Sequence, residues 1–187
     1  MPAIFTLTLV VTVASLANTG VTTEDRLKMR VALFDYATVP AASLTRARSE
    51  MTRIYREIGV EVLWQGADAL TEQTLLILIR SRISETIPQT AVGLASGTAV
   101  ERGRVAQIFY DRVEQLPVLY VHRPTLLGHV MAHELAHLLL PLESHSPEGL
   151  MRARWDRSDL ERAQEGRLRF TTEQSRLIRS KVSELAR

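Results

Sequence analysis

Five histidines are the residues of this chain with the clearest capacity for metal or proton-transfer chemistry, and all of them lie between His122 and His145. Inside that window, residues 133 to 137 read H-E-L-A-H. Residues four apart on an α-helix lie about 40° apart around its axis, so His133 and His137 point in the same direction. Two imidazoles on one helix face can reach a single Zn²⁺ ion at about 2.0–2.1 Å. Glu134 lies on the flank of that face, where a carboxylate can act as a general base without being a ligand.

His122 and His129 are two further histidines that could be metal ligands. His129 precedes His133 by four positions, which makes a rival pair, but valine and not glutamate follows it. We therefore interpret His122 and His129 as ordinary core or surface residues.

A catalytic zinc ion needs a third protein ligand and one open position for water. The residues downstream of His137 offer four candidates, namely Glu143, His145, Glu161 and Glu165. The stretch Ser158-Asp159-Leu160-Glu161 is typical of a capping box, which gives Glu161 a structural task at the start of a helix.

Residues 133 to 151 resemble the metzincin clan of zinc metallopeptidases, which includes the matrixins and astacins. The clan signature is H-E-x-x-H-x-x-G-x-x-H followed by a turn that contains methionine. Here H-E-L-A-H matches, the S-H-S segment around His145 is similar to the third-ligand segment, and Gly149-Leu150-Met151 is similar to the methionine turn. The resemblance implies one catalytic Zn²⁺ held by His133, His137 and His145, with Glu134 as general base and Met151 packed beneath the ligands.

The chain departs from that signature at two positions. Leu140 stands where the signature has glycine, and Glu143 stands where it has the third histidine, so His145 comes two positions later. Glu143 therefore stays open as an alternative third ligand. A gluzincin-type arrangement, in which Glu161 completes the site, also stays open.

Hydrophobic patterning predicts the elements that must position these residues. A helix begins at Pro40 and ends before Gly59, between two strands that we expect to be parallel. The apolar run Leu75 to Ile79 predicts a strand buried on both faces. Pro124 and Pro141 bound the expected zinc-binding helix, whose leucine-rich side is predicted to pack on the sheet while the opposite side lines a cleft. The predicted strands are Met29 to Tyr36, Val60 to Trp64, Leu75 to Ile79, Val92 to Ala95 and Val105 to Tyr110.

The expected fold class is α/β, of the α+β zincin type. It combines a mixed, mostly parallel twisted sheet with a long zinc-binding helix and C-terminal helices. By resemblance, Val92 to Ala95 is the antiparallel edge strand along which an extended peptide binds.

Residues 3 to 17 are apolar and uncharged, and small residues stand near the end of the run. This length is too short for a spanning helix and is typical of a signal-peptide core. We expect residues 1–17 to be a signal peptide and 18–187 to be a single catalytic domain. The predicted location is secreted or periplasmic, with no stable membrane anchor after signal cleavage.

Composition narrows the functional classes. The chain has no cysteine, which excludes disulfides, thiolate metal sites and cysteine nucleophiles. Its net charge is +2, and its arginines are interspersed with acidic residues, so nucleic acid is not an expected partner.

The sequence thus predicts an exported zinc-dependent endopeptidase that hydrolyses peptide or protein substrates with a zinc-activated water and Glu134 as the base. The alternative is a non-catalytic, zinc-stabilised secreted binding module on the same fold. Cleavage preference and oligomeric state are left open.

Overall fold

A computed structural model describes residues 26–81, 93–96, 103–115, 122–141 and 144–187. The predicted signal peptide, Val92 and the alternative ligand Glu143 lie outside these residues.

Within the described residues, five strands form one sheet, and four of them are parallel to one another. In chain order they are β1 (Leu27–Asp35), β2 (Val60–Gln65), β3 (Leu75–Arg80), β4 (Gly93–Ser96) and β5 (Val105–Phe109). Their order across the sheet is β2-β1-β3-β5-β4, and the short β4 pairs antiparallel with β5. With the helices that follow, this is the α/β architecture predicted at that coarse level.

Five α-helices accompany the sheet in the described part of the chain. They are α1 (Ala41–Glu57), α2 (Tyr110–Gln115), α3 (Arg123–His137), α4 (Arg157–Gln164) and α5 (Thr172–Leu185). The short α2 was not predicted, because its six residues are too few to show a helical period. Gly59 and Gly166 follow α1 and α4 with φ of +78° and +68°, the left-handed conformation in which a helix readily ends.

The core lies between one sheet face and the pair α1 and α3. Gly128 of α3 allows a close approach to α1, since a Cβ there would lie 2.7 Å from the backbone oxygen of Ala47. The buried Tyr55 hydroxyl of α1 donates a 3.1 Å hydrogen bond to the backbone oxygen of Ala132. These contacts fix the helix that carries the H-E-L-A-H residues.

The prediction that β3 is buried on both faces was wrong. Leu75, Ile77 and Ile79 are buried, but Leu76 and Leu78 on the other face are only half-buried. The apolar run therefore overstated the burial of the second face of β3.

Each of the two C-terminal helices, α4 and α5, begins with a capping box. The capping box of α4 is formed by Asp156 and Asp159, not by Ser158 and Glu161 as predicted. The prediction failed because aspartate caps a helix as well as serine does. A second capping box, formed by Thr171 and Gln174, starts α5.

None of the helices in the described ranges combines the length and the apolar character needed to span a bilayer.

Candidate metal centre

Helix α3 carries the first part of the site. Pro124 stands in its first turn, as predicted, and the helix ends at His137, before Pro141 is reached. Every residue from Leu126 to Ala136 is buried. The helix therefore does not have the open face that we predicted to line a cleft. His133 and Glu134 are 8% and 7% exposed. The reason is that the segment following α3 folds back over the histidine face.

His133 and His137 bring their Nε2 atoms together, 3.1 Å apart. Two nitrogens that each lie about 2.0–2.1 Å from one tetrahedral ion are separated by about 3.3 Å. The observed spacing therefore matches a pair of ligands on a common metal ion.

The opposite ring nitrogens are held by the segment after the helix. His133 Nδ1 donates to the backbone oxygen of Leu150 at 2.8 Å, and His137 Nδ1 lies 3.1 Å from Ser144 Oγ. A carbonyl oxygen can only accept, so the His133 proton is on Nδ1 and the Nε2 lone pair is free for a metal. When His137 Nδ1 donates to the serine hydroxyl, its Nε2 is free in the same way.

His145 completes the cluster from the other side. Its ring centroid is 5.5 Å from that of His133 and 4.7 Å from that of His137. One nitrogen from each of the three histidines falls within 4.8 Å of the others, so this group could bind a metal ion. Burial is graded, because His133 is buried, His137 is half-buried and His145 is exposed. A metal held here would thus have one buried ligand, one half-buried ligand and one ligand exposed to solvent.

Residues 144–151, which we call the ligand turn, contain the hydrogen-bond partners of His133 and His137 and also carry His145. The turn is closed by a hydrogen bond from Ser146 N to Met151 O at 2.9 Å and is tied down by Leu150 N to Arg169 O at 2.7 Å. Gly149 adopts φ +76°, and a Cβ there would lie 2.7 Å from Arg169 O. The side chain of Met151 is fully buried in the core. One short turn therefore contributes a ligand and orients the other two.

The electrostatics of the metal-free site favour neutral imidazoles. Burial lowers the pKa of His133 to about 4, against the opposing effect of its hydrogen bond to Leu150. Burial, together with the neighbouring His133 and His145, lowers the pKa of His137 to about 3. Both rings are therefore unprotonated near neutral pH, which is the form that coordinates a metal.

Glu134 is buried beside this pair on α3. Burial raises its pKa to about 8, and among the described residues it has no hydrogen-bond or ion-pair partner. A cation bound by the three histidines would favour the ionised form of Glu134, and its carboxylate would then be available for proton transfer.

Trp155 lies against His133. Its indole nitrogen donates to Leu150 O at 3.1 Å, so Leu150 O accepts hydrogen bonds from both Trp155 and His133. Its ring meets His133 edge-on at 5.8 Å between centroids. Trp155 thus supports the backbone oxygen that orients the first ligand.

The other sequence candidates lie elsewhere. His129 is buried, donates from Nδ1 to Thr125 O and has its Nε2 3.6 Å from Glu50 Oε1, outside the three-histidine group. Glu161 is exposed on α4, where its carboxylate pairs with Arg157 at 3.0 Å. It does not belong to the only group of three or more potential ligands found within the described residues.

A scan against protein-family models and a search of the curated proteins found no match to this chain. The resemblance of residues 133 to 151 to metzincins therefore stays a prediction.

Sequence reasoning missed the hydrogen-bond partners of the histidines. Ser144 and Leu150 have no recognisable signature of their own, and a backbone oxygen is invisible to any pattern of side chains. The only available signal for Ser144 was its place next to His145 in S-H-S.

Proposed function

We propose that this chain is an exported zinc-dependent endopeptidase with a zincin-type fold. The observation that carries the proposal is the convergence of His133, His137 and His145, with their nitrogens within 4.8 Å of one another, beside the buried carboxyl of Glu134, which has no partner within the described residues. A purely structural site needs the three histidines but has no use for that acid.

The residues present fit a zinc ion. The donor set is three neutral imidazoles, which is a ligand set of catalytic zinc sites with an open fourth position. When bound, Zn²⁺ would supply a Lewis acid that polarises a carbonyl and lowers the pKa of water to about 7.

The protein residues then divide the remaining tasks. His133 and His137 hold their Nε2 atoms in place through hydrogen bonds to Leu150 O and Ser144 Oγ, so no reorientation is required when the metal binds. Glu134 accepts the proton of the attacking water and delivers it to the amine of the departing product. The buried surroundings of Glu134 strengthen its interaction with any nearby cation.

Substrate binding is proposed at the edge of the sheet. The backbone of β4 pairs with β5 on one side only in the described residues, and β4 lies against α3. An extended peptide could add to the free edge of β4 by backbone hydrogen bonds, next to the helix that carries the histidines. Export is supported by the uncharged apolar run at residues 3–17.

The test combines zinc content with cleavage of a mixed-peptide library followed by mass spectrometry. The proteins are the wild type, Glu134→Gln and, as a matched control, Glu161→Gln on the exposed surface of α4. We expect one zinc per chain in all three and cleavage by the wild type and Glu161→Gln. Cleavage by Glu134→Gln should fall by about a hundredfold or more, the range for loss of a general base.

Two results would overturn the proposal. Zinc bound without cleavage by the wild type would indicate the binding module instead. Cleavage by Glu134→Gln at the wild-type rate would remove Glu134 from the mechanism.

A further inference from the structure

Gln174 is a buried polar residue that the proposed chemistry does not use. It stands in the first turn of α5 and is 7% exposed. Its side-chain oxygen accepts a hydrogen bond from Thr171 N at 3.0 Å, while Thr171 Oγ accepts from Gln174 N at 3.2 Å. These two bonds form the capping box and account for one half of the amide.

The other half of the amide faces the ligand turn. Gln174 Nε2 lies 3.0 Å from Ser146 Oγ and 3.4 Å from Ser144 O. Ser146 Oγ donates to Glu148 O, so it accepts from the amide. The amide group therefore donates to both residues that flank His145.

The same two serines connect the amide to the rest of the cluster. Ser144 carries the hydroxyl that lies 3.1 Å from His137 Nδ1, and Ser146 N closes the turn by donating to Met151 O. His145 itself is exposed, so its ring position depends on the backbone that carries it. Within the described residues, the amide of Gln174 is the side-chain donor from outside the turn that reaches both flanking residues.

We infer that Gln174 is a positioning residue for the metal centre, which holds His145 in coordinating position by donating to Ser144 and Ser146 from the start of α5. The inference rests on the metal site of the proposed function and not on turnover. A capping box is equally well formed by glutamate, which would keep the acceptor and lose the donor. The contact with the ligand turn therefore requires the amide nitrogen, whereas the cap does not.

This division gives variants that separate the two tasks. Gln174→Glu keeps the cap and removes the donor, and Ser146→Ala removes the nearer of its two acceptors without changing the charge. Thr171→Ala weakens the cap of α5 and leaves the amide in place. Circular dichroism and thermal midpoints establish that each variant folds.

The readouts are zinc affinity, by competition with a chromophoric chelator, and the visible absorption spectrum of the Co²⁺-loaded protein, which reports the ligand geometry. Loss of an outer contact to a ligand typically weakens metal affinity by about 10–100-fold. We expect Gln174→Glu and Ser146→Ala to weaken zinc binding by about tenfold and to change the Co²⁺ spectrum. Thr171→Ala should lower the thermal midpoint while zinc affinity and spectrum stay as in the wild type.

Wild-type affinity and spectrum in both Gln174→Glu and Ser146→Ala would overturn the inference and leave the proposed metal site intact. Loss of affinity in Thr171→Ala equal to that in the other two would also overturn it, because the effect would then follow the helix and not the amide. Absence of zinc binding in the wild type would overturn the metal site as well.

Discussion

The two histidines on α3 and the one in the ligand turn reach the same point by different means. His133 and His137 are one helical turn apart on a 15-residue helix buried against α1 and the sheet. Their relative position follows from the helix repeat alone. His145 is exposed, and its position depends on bonds to residues far away in the chain, such as Leu150 N to Arg169 O. One part of the site is set by local geometry and the other by tertiary structure.

The two parts of the site therefore respond to different changes in the protein. The helix pair depends on packing that the whole core maintains, whereas the turn depends on a few individual hydrogen bonds. However, the dependence is mutual, because the turn also fixes the ring orientation of the helix pair through Leu150 O and Ser144 Oγ.

Removal of a ligand should give the largest effect, and more on the helix than in the turn. We expect His133→Ala to weaken zinc binding by more than about a hundredfold, since it removes a buried ligand and also the bond to Leu150 O that orients the turn. His145→Ala should leave the helix pair intact and weaken binding less. Chelator competition on both variants measures the ratio, and equal losses would contradict the comparison.

A change in the glycine of the turn should disturb structure and site together. Gly149→Ala combines the left-handed φ of +76° with a Cβ only 2.7 Å from Arg169 O. We expect a loss of at least about 2 kcal/mol in the free energy of unfolding, together with weaker zinc binding. Gly166→Ala is the matched control, because its φ is similar at +68° but the nearest atoms belong to the flexible Arg53 side chain at 3.5 Å.

For Gly166→Ala we expect a loss of about 1 kcal/mol in the free energy of unfolding and no change in zinc affinity. Urea denaturation and chelator competition measure both quantities. Equal effects of the two alanines on zinc affinity would show that the turn does not orient the ligands.

Glu134 should make the metal-free protein less stable as the pH rises. Its folded-state pKa is raised to about 8, from about 4.5 when unfolded. Between these values the unfolded chain releases a proton that the folded protein retains, so this group lowers stability progressively from pH 4.5 to 8. Relative to the wild type, metal-free Glu134→Gln should gain stability over that window, by up to a few kcal/mol.

Urea denaturation of both proteins in the presence of a chelator measures this difference at pH 5 and pH 8. A difference that stays constant between the two pH values would show that Glu134 is not held in a desolvated position.

The smallest effect is expected on α4. Arg157→Ala breaks the exposed pair with Glu161 and should change the free energy of unfolding by less than about 1 kcal/mol. Zinc affinity should be unchanged, because this pair is outside the three-histidine group. A change in affinity would reopen the gluzincin-type arrangement.

The contrast between helix and turn also separates what the sequence could predict from what it could not. The strand-helix-strand unit, the parallel pairing of β1 with β2 and the shared direction of His133 and His137 all follow from short-range periodicity. The structure of the ligand turn does not follow from periodicity. It depends on hydrogen bonds made by Leu150 O, Arg169 O and the Gln174 amide nitrogen, whose partners are distant in sequence. Even the cap of α4 was displaced, since Asp156 and Ser158 are both good capping residues and only the tertiary structure chooses between them.

The burial of the site was also underestimated from the sequence. A helical pattern with histidines on one side predicts an open polar face, but Trp155 and the ligand turn cover that face in the fold. The consequence is chemical, because burial is the first cause of the lowered pKa values of His133 and His137 and of the raised pKa of Glu134.

Zinc K-edge X-ray absorption of the zinc-loaded wild type and His145→Ala tests most directly whether the helix pair and the turn share one ion. We predict three imidazole ligands at about 2.0–2.1 Å in the wild type and two in His145→Ala. The same ligand set in both proteins, or fewer than three imidazoles in the wild type, would contradict a metal centre built from His133, His137 and His145.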